Sequence, residues 1–211
     1  MSETTNGKIQ NLLERAARQS DSPTSEGSSV AKATRIFPDA ANAEEAFVFL
    51  RKSLFSIEQW NVFSEISSFE LIDKTGRAAP TKSAAVGDYI KIILPGSGKD
   101  DWVKVIEITE TPDEIVLTVQ PSHDPTDAEN KNTTSHFFTD ASTNNFCLQQ
   151  KDAKINFYVI GLNEQTNTEA TSGILETARN LATANVGSFS GIQKTQWETF
   201  CRNFLETRNE K

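Results

Sequence analysis

Scarcity is the first feature of this 211-residue chain. It has only two histidines, two cysteines and one methionine. Cys147 and Cys201 lie far apart and read as buried free thiols in a reducing compartment. Neither sits in a recognisable nucleophile context and no Gly-x-Ser-x-Gly occurs, which argues against nucleophilic catalysis. No run of about 18 apolar residues is present, so no membrane span is expected. The N-terminus lacks the apolar stretch of a secretory signal. The expected setting is a bacterial cytoplasm, where the sequon Asn132-Thr133-Thr134 has no consequence. Clustered lysine and arginine are missing too: net charge is −8 and the pI is near 4.9. Phosphate contacts need concentrated positive charge, so no nucleic-acid partner is expected.

The motifs that remain are incomplete. Gly96-Ser97-Gly98-Lys99 invites comparison with a phosphate-binding loop, but Ile93 stands where the earlier glycine belongs and Asp100 follows the lysine. His123, Asp124 and Asp127 are metal-capable, yet no second histidine lies at ligand spacing. His136 falls in a candidate strand. No metal site and no cofactor are expected. Most carboxylates crowd solvated turns, whereas general acid–base work needs an apolar setting. Glu107, flanked by β-branched residues inside a strand, is expected to face solvent.

What the chain does have is phenylalanine, 13 of them, with three tryptophans and two tyrosines, enough for one good-sized core. The stretch Gly87–Gln120 organises the rest. In Glu114–Gln120, Ile115, Leu117 and Val119 alternate with Val116, Thr118 and Gln120, the period of a strand with one buried face. Tyr89–Leu94 alternates similarly. Trp102–Glu110 is rich in β-branched residues, with Ile106 and Ile108 expected on the face of Trp102. Turn chemistry at 95–101 and at Glu110-Thr111-Pro112-Asp113 makes this an antiparallel meander. Further candidate strands are Lys32–Phe37, Ser68–Asp73, Thr133–Thr139, Asn144–Gln150 and Lys154–Leu162, eight in all.

Helical spacing appears in four places. Asn42 offers an N-cap, with Glu45 to return the bond, ahead of Phe47, Leu50, Leu54 and Ile57. Trp60 and Phe63 extend that helix or form a second short one. Ile174–Ala182 is a helix stopping before Gly187. Ser190-Gly191-Ile192-Gln193 caps the last, whose stripe is Trp197, Phe200, Cys201, Phe204 and Leu205. Residues 1–31 read as a disordered tail with a short helix at Ile9–Ala17, and 32–208 as a single domain. The Arg77–Val86 loop is long enough to move as a gate.

The order of a short strand, one or two helices (the aromatic region Ala43–Phe63), the Gly87–Gln120 meander and the Ile192–Glu206 helix resembles the START and birch-pollen-allergen superfamily. That resemblance implies the helix-grip fold: α+β, a curved antiparallel sheet of about seven strands wrapped on a C-terminal amphipathic helix. Thr133–Gln150 then reads as an elaboration. No family motif matches, so no family site residue carries over. Many members bind lipids, hormones or polyketides, some are cyclases, and some regulate chaperones.

The leading expectation is non-catalytic binding of a small apolar or amphipathic ligand between sheet and helix. Its candidate wall is Trp60, Phe63, Tyr89, Trp102, Phe157, Tyr158 and Trp197, with both faces of the Phe157 strand represented. It calls for a cavity of at least about 300 Å³. The alternative is an interaction or regulatory module with a solid core, meeting a protein partner through residues 1–31. A third reading, a cyclase or hydrolase on the same scaffold, would need His136 or Glu107 inside a cavity.

Overall fold

The computed structural model describes residues 7–20, 27–94, 100–127, 134–165, 167 and 189–207, with side chains in the last stretch from residue 195. Helix α1 (Lys8–Ser20) precedes β1 (Gly27–Ile36). Helix α2 (Ala40–Phe55), a 3-10 turn (Ile57–Gln59) and the short α3 (Trp60–Phe63) follow. Then come β2 (Ser68–Ile72), β3 (Tyr89–Ile93), β4 (Asp101–Glu110), β5 (Glu114–Pro121), β6 (Thr143–Lys151), β7 (Lys154–Glu164) and α4 (Phe189–Glu206). The seven strands form one antiparallel sheet in the order β1-β7-β6-β5-β4-β3-β2. Strands β2 to β7 are a meander, and β1 closes onto β7 at the edge.

One face of the curved sheet grips α4. Phe200, Cys201, Phe204 and Leu205 are all buried there, and Phe204 stacks on Phe157 of β7 at 4.1 Å. A sheet with one apolar face must cover it, and this helix supplies the cover. The helix-grip fold that the resemblance implies is present.

Local chemistry moves several expected boundaries. Helix α2 starts three residues earlier than expected: Asp39, not Asn42, is the N-cap, accepting the Asn42 N–H at 2.8 Å. Asp39 is itself extended, at φ −155° and ψ 177°, as a cap residue requires. That bond keeps the Asp39 carboxyl below its ordinary pKa. Helix α4 already runs at Phe189, one residue ahead of the expected Ser190 cap. The expected Ile174–Ala182 helix lies outside the described residues, as do Gly96–Lys99.

Thr133–Thr139 is not a strand. Its described part bends because His136 turns back to accept the Phe138 N–H on Nδ1, at 2.9 Å. In β4, a bulge lies between Val105 and Glu107. The extra residue, Ile106, is pushed out to 37% exposure and the alternation changes phase. Trp102 therefore faces outward and Ile108 inward, so the two do not share a face.

The stretch read as a tail is partly structured. Residues 27–31 belong to β1. Helix α1 lies across the outer sheet face, where Ile9, Leu12 and Ala16 are buried with Val116, Cys147, Tyr158, Ile160 and Leu162. Lys8 pairs with Glu107 and donates to Thr109. That hydrogen bond from Lys8 holds the Glu107 carboxyl below its ordinary pKa. Both side chains of the pair are substantially exposed, so Glu107→Gln is expected to cost no more than about 1 kcal/mol in urea unfolding.

The Arg77–Val86 loop is tied down rather than free as a gate. Ala79 and Ala84 donate to Leu71 and Phe55 carbonyls, and Ala84 is buried. The buried Asp88 carboxylate accepts from Lys74 N–H, Ala85 N–H and Lys82 Nζ. Gly87, at φ +95°, makes the turn into it. Asp88→Ala strands two backbone donors and is expected to cost about 2–3 kcal/mol. A loss under 1 kcal/mol by urea denaturation would show that Asp88 does not hold the loop.

Candidate functional site

The inner sheet face is apolar through its middle, with Arg35 and Gln150 opposite Ile155 at one end and Asn144 and Asp101 at the other. Asp101, the first residue of β4, stands opposite Ile92, as Val103 stands opposite Ile90. Residues directly opposed across antiparallel strands share a face. Asp101 thus lies on the side of Ile90 and Val103, both in the main core. It is 6% exposed.

His136 reaches it from the bent segment beside β4. Trp102 N–H donates to Ser135 O at 2.9 Å, and Ser135 N–H to Ser122 O at 2.8 Å. The buried His136 places Nε2 3.4 Å from Asp101 Oδ2. Asn167 Nδ2 donates to the His136 carbonyl at 3.2 Å and holds the segment from the far side. Asp101 Oδ1 and Thr139 Oγ1 are the buried side-chain oxygens without a hydrogen-bond partner among the described residues. Fully buried polar atoms in native proteins are nearly always paired, so each such exception asks for a cause.

Burial pushes both partners toward their neutral forms. It raises the Asp101 carboxyl well above its ordinary value, against the Phe137 and Trp102 backbone N–H groups that pull it down. It lowers His136 from 6.5 to about 4. For His136, the unfolded chain binds a proton below about pH 6.5 that the folded chain refuses until about 4, so stability is lost as pH drops from 6.5 toward 4. For Asp101 the sign is opposite. The unfolded carboxyl ionises above 3.8 while the folded one keeps its proton, so stability falls as pH rises through and beyond 3.8. Asp101→Asn removes only the second slope. Its stability relative to wild type is expected to improve as pH rises from 4 to 7. Urea midpoints across that range measure it, and parallel curves for the two proteins would contradict it.

The seven residues expected to line a ligand divide between the two faces. Trp60, Phe63 and Phe157 are buried in the inner core, with Trp197 packed against it. Their rings pack on one another: Trp60 on Phe146 at 4.5 Å, Phe63 edge-on to Phe204 at 5.3 Å, Trp197 edge-on to Phe146 at 5.4 Å. Tyr89, Trp102 and Tyr158 are on the outer face and cannot wall a space between sheet and helix. Tyr89 and Trp102 cluster with Ile72, and Tyr158 lies under α1. Glu107, on the outer face with Lys8, is no interior acid.

A cleft of about 290 Å³ lies between Arg35, Phe37, Ala46, Phe49 and Thr207, where β1, α2 and the end of α4 meet. That is under the expected floor, and neither Asp101 nor His136 lines it. A larger cleft, about 440 Å³, sits at the β6–β7 hairpin against Lys32 and Ile36, away from the grip. Among the described residues no group of three metal-capable side chains forms, and no helix is long and apolar enough to cross a membrane.

In the sequence Asp101 is masked by its place at the end of a run of turn residues. The available signal was its phase: Asp101, Val103 and Val105 alternate on one face, which puts a carboxyl in an apolar row.

No protein-family model matches the chain, and no curated protein does. Solved structures do. A hypothetical protein of Helicobacter pylori is 10% identical over 97% of this chain and 98% of its own, with a TM-score of 0.55. A truncated norcoclaurine synthase from Thalictrum flavum is 12% identical over 89% and 99%, TM-score 0.40. The protein Ara h 8.0201 is 14% identical over 86% and 100%, TM-score 0.36. The Helicobacter pylori likeness spans nearly both chains, and what it carries is the fold.

Proposed function

We propose that this protein binds a small amphipathic ligand on the inner face of its sheet, without catalysis, with the ligand's polar end at Asp101 and His136. The observation that carries the reading is the unpartnered, buried Asp101 Oδ1. A solid core has no use for such an atom, because leaving it unsatisfied costs about 1–3 kcal/mol. A ligand atom there would recover that energy. The packed rings of Trp60, Phe63 and Phe157 serve as the rigid floor of the grip rather than as the wall of an open cavity.

His136 suits binding better than acid–base work. Nδ1 is occupied by the Phe138 N–H and Nε2 faces Asp101. Both nitrogens are engaged, so neither is free to take a substrate proton.

Native mass spectrometry of the protein purified from its own host tests the role. A co-purifying small molecule is expected. A bare chain, or one carrying only a protein partner, would favour the solid-core interaction module instead. Re-adding the molecule at 100 times its Kd is expected to stabilise the fold by about 2.7 kcal/mol, seen as a rise in Tm.

A further inference from the structure

Resting on the ligand-binding role above, we infer that the ligand is an uncharged apolar molecule carrying a hydrogen-bond-accepting oxygen, a ketone, ester or alcohol. Asp101 Oδ1–H donates to that oxygen.

The assignment follows from where hydrogens can sit. Phe138 N–H donates to His136 Nδ1 at 2.9 Å, so Nδ1 carries no hydrogen. The neutral ring then bears its hydrogen on Nε2, which faces Asp101 Oδ2. Oδ2 is the oxygen on the ring's side, 3.4 Å away, and we assign a proton on the carboxyl to Oδ1, on the side away from the ring. Oδ1 is the oxygen that finds no protein partner. Burial favours that proton and outweighs the Phe137 and Trp102 backbone N–H groups, which oppose it. Among the described residues no lysine or arginine pairs with Asp101, and His136 is the one cation-capable group that does. The neighbouring Lys91 is committed to Asp100 and Glu70. Burial acts in the same direction on both members of the pair. A carboxylic acid kept neutral in an apolar site is a hydrogen-bond donor.

This geometry discriminates among head groups. An alkylammonium would need an ionised Asp101. A carboxylate would enter an apolar site with no cation to meet it, at a heavy desolvation cost. A neutral carbonyl or hydroxyl oxygen meets a ready donor and brings no charge.

Three probes with matched eight-carbon chains separate these cases: 2-octanone, octylammonium and octanoate, titrated into the full chain at pH 7 by calorimetry. The expected result is a preference for 2-octanone of about tenfold or more, as one buried hydrogen bond supplies. Asp101→Asn, which keeps an N–H donor, should retain most of that preference, and Asp101→Leu should abolish it. A preference for octylammonium would overturn the assignment, as would an undiminished ketone preference in Asp101→Leu. Either of those outcomes leaves the ligand-binding role standing. Binding of none of the three would overturn both. The Asp101 carboxyl carbon shift in labelled wild-type protein reads the same proton without any variant: a protonated signal at pH 7 is expected, and an ionised one overturns the assignment.

Discussion

Replacing Phe200 with alanine is expected to destabilise the protein by about 3–5 kcal/mol, the range for deleting a buried aromatic ring. Phe200 is 2% exposed. Its ring meets Trp60 and Trp197 at 5.5 Å and Phe63 at 5.7 Å, all edge-on. Phe69, Phe146 and Phe157 complete the ring of neighbours at 6.3 Å. Alanine leaves a void that these rings cannot collapse to fill. Trp60 is fixed by its Nε1–H bond to Leu54 O, and Phe157 is fixed in the sheet. Since a whole domain of this kind is stable by roughly 5–15 kcal/mol, the variant sits near the edge of folding at room temperature. Urea unfolding monitored by tryptophan fluorescence measures the loss. Phe200→Leu should lose less, because more of the volume remains. A cost under 1 kcal/mol for alanine would mean that α4 is not the element the sheet is wrapped around.

The part of the fold governed by simple period was legible. The stripe from Trp197 to Leu205 repeats at helical spacing, and the inward residues of β5 alternate without interruption. Burial is decided by phase at such places, and phase is written in the residues. Legibility failed where one residue changed the phase. Ile106, inserted by the bulge in β4, reverses which of Trp102 and Ile108 looks inward, and nothing in a row of β-branched residues marks the insertion. It failed also where a side chain overrode the backbone. Residues 134–139 have a strand's composition, but the His136 imidazole captures the Phe138 N–H and the chain bends.

The polar site was half visible for the same reason. His136 was noticed because histidine is rare here, and Asp101 was not, because it follows turn residues in a chain full of acids. Their pairing depends on the meander placing the start of β4 beside a segment 35 residues later, as the contact between Asp100 O and Ser135 Oγ records. Sequence spacing cannot report a contact of that kind. The aromatic wall erred differently. The expected wall between sheet and helix included Tyr89, Trp102 and Tyr158, which are buried, but the sheet has two covered faces and theirs is the outer one.

That second covered face leads to the other large effect. Deleting residues 1–20 is expected to speed modification of Cys147 by a thiol reagent by about a hundredfold or more, since reactivity follows access and thiolate fraction. Cys147 lies on β6 beneath α1, fully buried, and burial raises its thiol above the ordinary range. Cys201 is also buried, with its thiol pushed up to about 12, but it belongs to α4 and packs into the core on the opposite face of the sheet. The two cysteines report the two faces separately. In the full chain both should react only through unfolding. Without α1, Cys147 should react quickly while Cys201 stays protected, and the bared Tyr158, Ile160 and Leu162 should promote self-association visible by size-exclusion chromatography. Leu12→Asp makes the same test at full length, because a carboxylate cannot remain at that buried contact. Equal acceleration of both thiols would mean that α1 is needed for the whole fold and is no separable cover. No acceleration of either would mean that the sheet's outer face is closed by something other than this helix.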